Sequence, residues 1–146
     1  MGGCGVIYQL KPTESGPWRQ KLLHKFSFPE GAQPNDGLIM GPDGTLYGTA
    51  TLGGSLGGGT VFRFDSLERG APADPAQFTI VHAFANRGPG WRPLAPPVRG
   101  SDGGLYGLTN AGGANGRGDA YRVVVDYSAA PTRDMLDAVA RTIRFQ

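Results

Sequence analysis

Cysteine and histidine are nearly absent: this chain of 146 residues carries one of the first and two of the second. A single thiol, Cys4, excludes an internal disulfide and any zinc site built on cysteines. His24 and His82 stand far apart, and no paired spacing such as His-Glu-x-x-His occurs, which argues against histidine-bound zinc. There is no Gly-x-Ser-x-Gly elbow, so a serine triad of the α/β-hydrolase kind lacks its nucleophile. An excess of one charge is missing too. The net charge is +2 and the basic residues are scattered, so nucleic acid is not an expected partner. No apolar run approaches the ~18 residues of a spanning helix, and no membrane partner is expected. The opening MGGCGVIYQL has neither the basic region nor the apolar core of a signal peptide, and Val6 stands where a myristoylation signal needs Ser or Thr.

Glycine is plentiful, at 25 residues, and it clusters at matched offsets between short apolar runs. That pattern predicts many short strands joined by tight turns. Asp43–Gly54, DGTLYGTATLGG, returns as Asp102–Gly113, DGGLYGLTNAGG, 59 residues later. Val61-Phe62-Arg63 returns as Ala120-Tyr121-Arg122 at the same offset, with an earlier relative in Val6-Ile7-Tyr8, and His24 and Phe26 return as His82 and Phe84 after 58 residues. Landmarks that keep one order mark an internal repeat.

Each landmark reads as a strand. Leu38–Ala50 forms a hairpin around Pro42-Asp43-Gly44, and Thr60–Phe64 is rich in β-branched and aromatic residues. Strict alternation over Phe78–Phe84 sends Phe78, Ile80, His82 and Phe84 to one face. Pro93–Arg99, Leu105–Thr109 and Ala120–Val125 repeat the first three strands, while Val6–Leu10 and Lys21–Phe28 supply the last two of an earlier unit. The prediction is all-β, with four-stranded propeller-like blades, about two and a fraction per chain. A partial blade spans 3–28, a blade 36–84 and a second partial blade 92–126, within a repeat domain of residues 1–127. Prolines 93, 96 and 97 fit a sheet edge better than a sheet centre. A tail, 128–146, holds a predicted helix at about 132–144, with Met135, Leu136, Val139 and Ile143 on one face.

GLIMGPDGTLYGTATLGG, GGGTVFRF and IVHAF, with SGPWRQKLLHKFSF before them, resemble the GloVer-type tandem repeat of gloeobacterial and verrucomicrobial proteins. The resemblance runs from Gly3 to about Val125 and implies a β-propeller-like architecture in exported or cell-surface proteins, with no settled activity. Without that implication, the lack of an export signal points to the cytoplasm. Closed propellers use about 4–8 blades, so the expected partner is the chain itself, closing a ring as a dimer or trimer.

The glycine loops Gly53–Gly59 and Gly112–Gly118 do not end in the Gly-Lys-Ser/Thr of a phosphate loop, and they read as turns. Oxygen ligands remain. Asp119 replaces a threonine of the repeat, and Asp119, Asp102, Asp43 and Asn110 fall at turns and strand ends, where they are candidate ligands for calcium. Two functions are open. One is calcium-dependent hydrolysis of a lactone or small ester, by fold-level analogy. The other is non-catalytic binding of carbohydrate or protein through Tyr47, Tyr106, Trp18 and Trp91.

Overall fold

A computed structural model describes residues 3–42, 44–65 and 78–125, which form an all-β protein of antiparallel sheets. Sheet 1 is the pair β1 (Val6–Lys11) and β2 (Arg19–Lys25). Sheet 2 runs in the order β3 (Ile39–Met40), β4 (Leu46–Ala50), β5 (Gly57–Phe64), β6 (Phe78–Ala85). Sheet 3 is built on β9 (Leu105–Gly112), with β10 (Ala120–Val123) on one side and both β7 (Gly90–Pro93) and β8 (Val98–Arg99) on the other. No helix, and so none able to cross a membrane, occurs among the described residues. Asp43 and the helix expected at 132–144 lie outside them.

The repeat is reproduced in the backbone. Gly44, Gly53, Gly54, Gly57 and Gly59 have φ of 78, 74, 82, 76 and 98°, and their counterparts 59 residues later, Gly103, Gly112, Gly113, Gly116 and Gly118, have 80, 84, 74, 69 and 102°. Gln33 and Arg92, also 59 apart, are both left-handed, at 58 and 59°. The turn bonds repeat as well. Gly41 N–H donates to Thr45 O and Gly44 N–H to Gly41 O, as Gly100 N–H does to Gly104 O and Gly103 N–H to Gly100 O. At Gly59 a side chain is excluded twice over: its φ is one that L-residues avoid, and a Cβ would lie 2.6 Å from the Ala50 carbonyl oxygen.

Sheet 2 is sandwiched. On one side, Phe62, Phe64 and Ala50 pack against Ile7, Leu23 and Phe26 from sheet 1 and its C-terminal extension, with Phe78 and Ile80 against the same cluster. On the other, Tyr47, Val61 and Phe84 pack against Leu105 and Val123 of sheet 3. Adjacent β5 residues thus serve opposite clusters, as the pleat requires. The sheets stack face to face in chain order, each burying what its neighbour leaves uncovered.

Two expectations need correction. Alternation along β6 breaks at a bulge: Val61 pairs with His82 but Phe62 with Ile80, leaving Val81 as an extra residue. Phe78 and Ile80 therefore face sheet 1, while Val81 and Phe84 face sheet 3. Sheet 1 carries the same bulge, since Ile7 pairs with His24 and Tyr8 with Leu22. The single strand expected over Pro93–Arg99 is divided into β7 and β8 by Leu94–Pro97. Pro96 and Pro97 have no N–H to donate to a ladder, so the strand lapses there, at the edge of its sheet.

Candidate functional site

Of the expected calcium ligands, Asp43 lies outside the described residues, and Asp102 is set apart from Asn110 and Asp119. Asp102 sits in the β8–β9 turn, where its Oδ1 accepts the Gly104 N–H at 3.1 Å. Its Oδ2 accepts Tyr106 Oη at 2.8 Å and Arg122 Nη2 at 2.7 Å. These bonds, Arg122 first, hold its carboxyl down to about 2. Asn110 lies towards the opposite end of β9, and five residues of extended strand from Leu105 to Asn110 span about 16 Å. Asp119 is near that far end: its N–H donates to Thr109 Oγ1 at 2.9 Å, and its Oδ1 accepts the Ala120 N–H at 2.8 Å. Calcium takes about 6–8 oxygens. Among the described residues no group of three or more His, Cys, Asp or Glu could hold a metal ion. Among the described candidates, then, Asp102 stands apart from Asn110 and Asp119.

The aromatic candidates are also dispersed. Tyr47 is fully buried between sheets 2 and 3 and has no face to offer a ligand. Trp91 packs against that same cluster, with the Arg92 guanidinium 4.5 Å above its ring. Trp18 is exposed beside β2, at the other end of the stack, and Tyr106 lies on the outer face of sheet 3.

A cleft of about 330 Å³ opens between β6 and sheet 3, lined by His82, Phe84, Thr109, Asp119 and Tyr121. Burial lowers the His82 pKa, and it raises the Tyr121 phenol to about 12, so both are neutral near pH 7. One sheet earlier, the equivalent His24 is covered by Phe78 of the fourth strand, stacked at 3.9 Å. Sheet 3 has no fourth strand beyond β10 among the described residues, and the cleft opens at that position.

The Gloeobacter/Verrucomicrobia repeat, as a family model, matches residues 1–135. The chain belongs to this repeat family. No curated protein and no solved structure matches it.

Within this Gloeobacter/Verrucomicrobia repeat, equivalent positions identify side chains that the sequence candidates, Tyr106 apart, do not include. The shared bulge makes Tyr8, Leu10 and Leu22 of sheet 1 equivalent to Phe62, Phe64 and Ile80 of sheet 2. In sheet 2 these positions pack on the neighbouring sheet; in sheet 1 the three, with Val6, are 43–54% exposed on the outer face. At the other end, Val98, Tyr106 and Leu108 are equivalent to Ile39, Tyr47 and Thr49, and are 39–68% exposed. Among the described residues the stack therefore ends in two faces rich in apolar side chains, that of sheet 3 also carrying Arg122 beside Tyr106. Their signal lay in the repeat offset, read together with which sheet has a neighbour.

Proposed function

We propose that this chain is a non-catalytic interaction module that binds protein surfaces through the outer faces of its sheet stack. The observation that carries this reading is the pair of apolar outer faces, Val6, Tyr8, Leu10 and Leu22 at one end and Val98, Tyr106 and Leu108 at the other. A sheet face meant for water alternates apolar-in with polar-out, and contiguous exposed apolar patches mark interaction sites. The polar groups support the same reading. Asp102 is engaged by Arg122 and Tyr106, and the glycine-loop amides Gly57, Gly59, Gly116 and Gly118 donate to carbonyls within their own loops. Trp18 is exposed beside β2 while Tyr47 and Trp91 pack between sheets 2 and 3, so these candidates do not form one aromatic platform of the kind that stacks on sugar rings.

The test assays lactones and p-nitrophenyl esters with calcium, after chelation, and after calcium is restored, alongside binding to a panel of immobilised oligosaccharides. The expected result is no turnover above blank and no saturable sugar binding. Calcium-dependent turnover would replace this reading with a lactone or ester hydrolase. Sugar binding lost in Trp18→Ala would replace it with a carbohydrate module.

A further inference from the structure

Resting on that reading, we infer that the occupant of both outer faces is a second copy of this chain, docked head to tail so that sheet 1 of one copy covers sheet 3 of the next. The two outer faces continue the two interfaces inside each chain. The side of sheet 2 carrying Phe62, Phe64 and Ile80 is covered by the sheet before it. The opposite side, carrying Tyr47 and Val61, is covered by the sheet after it. The outer face of sheet 1 is the first kind of surface, with Tyr8, Leu10 and Leu22 at the matching register positions. The outer face of sheet 3 is the second kind, with Val98, Tyr106 and Leu108 at the positions of Ile39, Tyr47 and Thr49 and Ala120 at that of Val61.

Each face thus presents part of what the other is built to meet: sheet 3 repeats the turns of sheet 2 and its first three strands, and among the described residues it has no strand at the position that carries Val81 and Phe84 in sheet 2. Sheet 2 lies between sheets 1 and 3 of the same chain, packed on both, so the two ends meet between copies. The contact is heterologous: one patch on one copy, a different patch on the next. Such contacts close into a ring when the rotation per copy divides a full turn, and otherwise run on as an open stack.

The experiment uses the full chain and two variants, Leu22→Glu on the sheet 1 face and Leu108→Glu on the sheet 3 face. Mass is measured by sedimentation velocity, and folding is checked by circular dichroism. Wild type is expected to associate in a concentration-dependent way, and each variant alone to give at most a monomer–monomer encounter too weak to detect. Mixed one to one, the variants are expected to form a dimer and nothing larger, because the intact sheet 3 of the first meets the intact sheet 1 of the second. If either variant fails to fold, Leu22→Ser and Leu108→Ser take its place. A wild type that stays monomeric, a single variant that dimerises by itself through like faces, or a mixture that stays monomeric overturns the inference. None of these outcomes touches turnover or sugar binding, so the broader reading stands or falls separately.

Discussion

Truncating Phe62 to alanine tests the sheet stack at its most demanding point. The side chain is fully buried, with its ring centroid 5.1 Å from that of Phe26 and 5.4 Å from that of Phe78. Its ring lies over Gly48, where a Cβ would come within 2.6 Å of the Phe62 Cζ and 2.7 Å of the Leu38 Cδ2, so β4 itself offers no side chain to refill the space and Leu38 borders it there. Phe→Ala in a core costs about 3–5 kcal/mol, depending on how far the surroundings collapse, and here the adjoining strand position is a glycine. Loss of the edge-to-face contact with Phe26 acts in the same direction. About 4 kcal/mol is therefore expected, a large part of the ~5–15 kcal/mol that holds a domain together. With an m-value near ~2 kcal/mol/M, the urea midpoint should fall by roughly 2 M. Tyr8→Ala is the control, since Tyr8 occupies the equivalent register on an outer face. At protein concentrations too low for association it should cost under about 1 kcal/mol. A Phe62→Ala cost below about 1 kcal/mol, or equal costs for the two variants, would mean that sheets 1 and 2 do not pack as described.

Gly59→Ala forces a side chain into a φ of 98° and against the Ala50 carbonyl oxygen, and equilibrium unfolding should show a loss of roughly 2–4 kcal/mol. An alanine tolerated within about 0.5 kcal/mol would refute the turn geometry. Burial lowers the His24 pKa below its ordinary value, against the opposing pull of Glu30, whose Oε1 is 3.6 Å away, and burial lowers that of His82 as well. The neutral forms are favoured by folding, so this stability is present above about pH 6.5 and is lost as pH falls through the unfolded-state value towards the folded one. The urea midpoint should decline from pH 7.5 to 5, and the double variant His24→Phe, His82→Phe should flatten that decline. A wild-type midpoint that rises on acidification would show the Glu30 attraction outweighing burial.

Much of this fold is legible in the sequence because glycine is forced by geometry. Where a turn needs positive φ, the residue type is nearly dictated, so the offset of 59 between the two copies is written in the glycines themselves. Gln33 and Arg92 carry the same backbone conformation with no such mark, because neither residue type signals a left-handed turn. The β6 bulge is equally silent. Nothing in FTIVHAF distinguishes a strand of seven regular residues from one with an extra residue at Val81, and only the pairing of Val61 with His82 and of Phe62 with Ile80 decides it. The separation of Asp102 from Asn110 is hidden for a related reason. Asp102 and Asn110 both occupy strand ends, but opposite ends of one strand, and residue type says nothing about which end.

Burial is the property that the repeat alone cannot specify. Tyr47 and Tyr106 are the same residue in the same register, yet the first is fully buried and the second lies on an outer face. The difference is that sheet 2 has a neighbour on that side and sheet 3 has none among the described residues. Where water is the permanent neighbour of a sheet, polar side chains are expected on the outer face. Sheet 3 runs the other way at one telling position, where the buried Thr49 of sheet 2 is matched by an exposed Leu108. Sheet 1 likewise keeps Tyr8, Leu10 and Leu22 where sheet 2 has two phenylalanines and an isoleucine. End sheets that carry the surface chemistry of inner ones are fitted to be covered, which is why the outer faces, rather than the dispersed carboxylates, carry the function proposed for this chain.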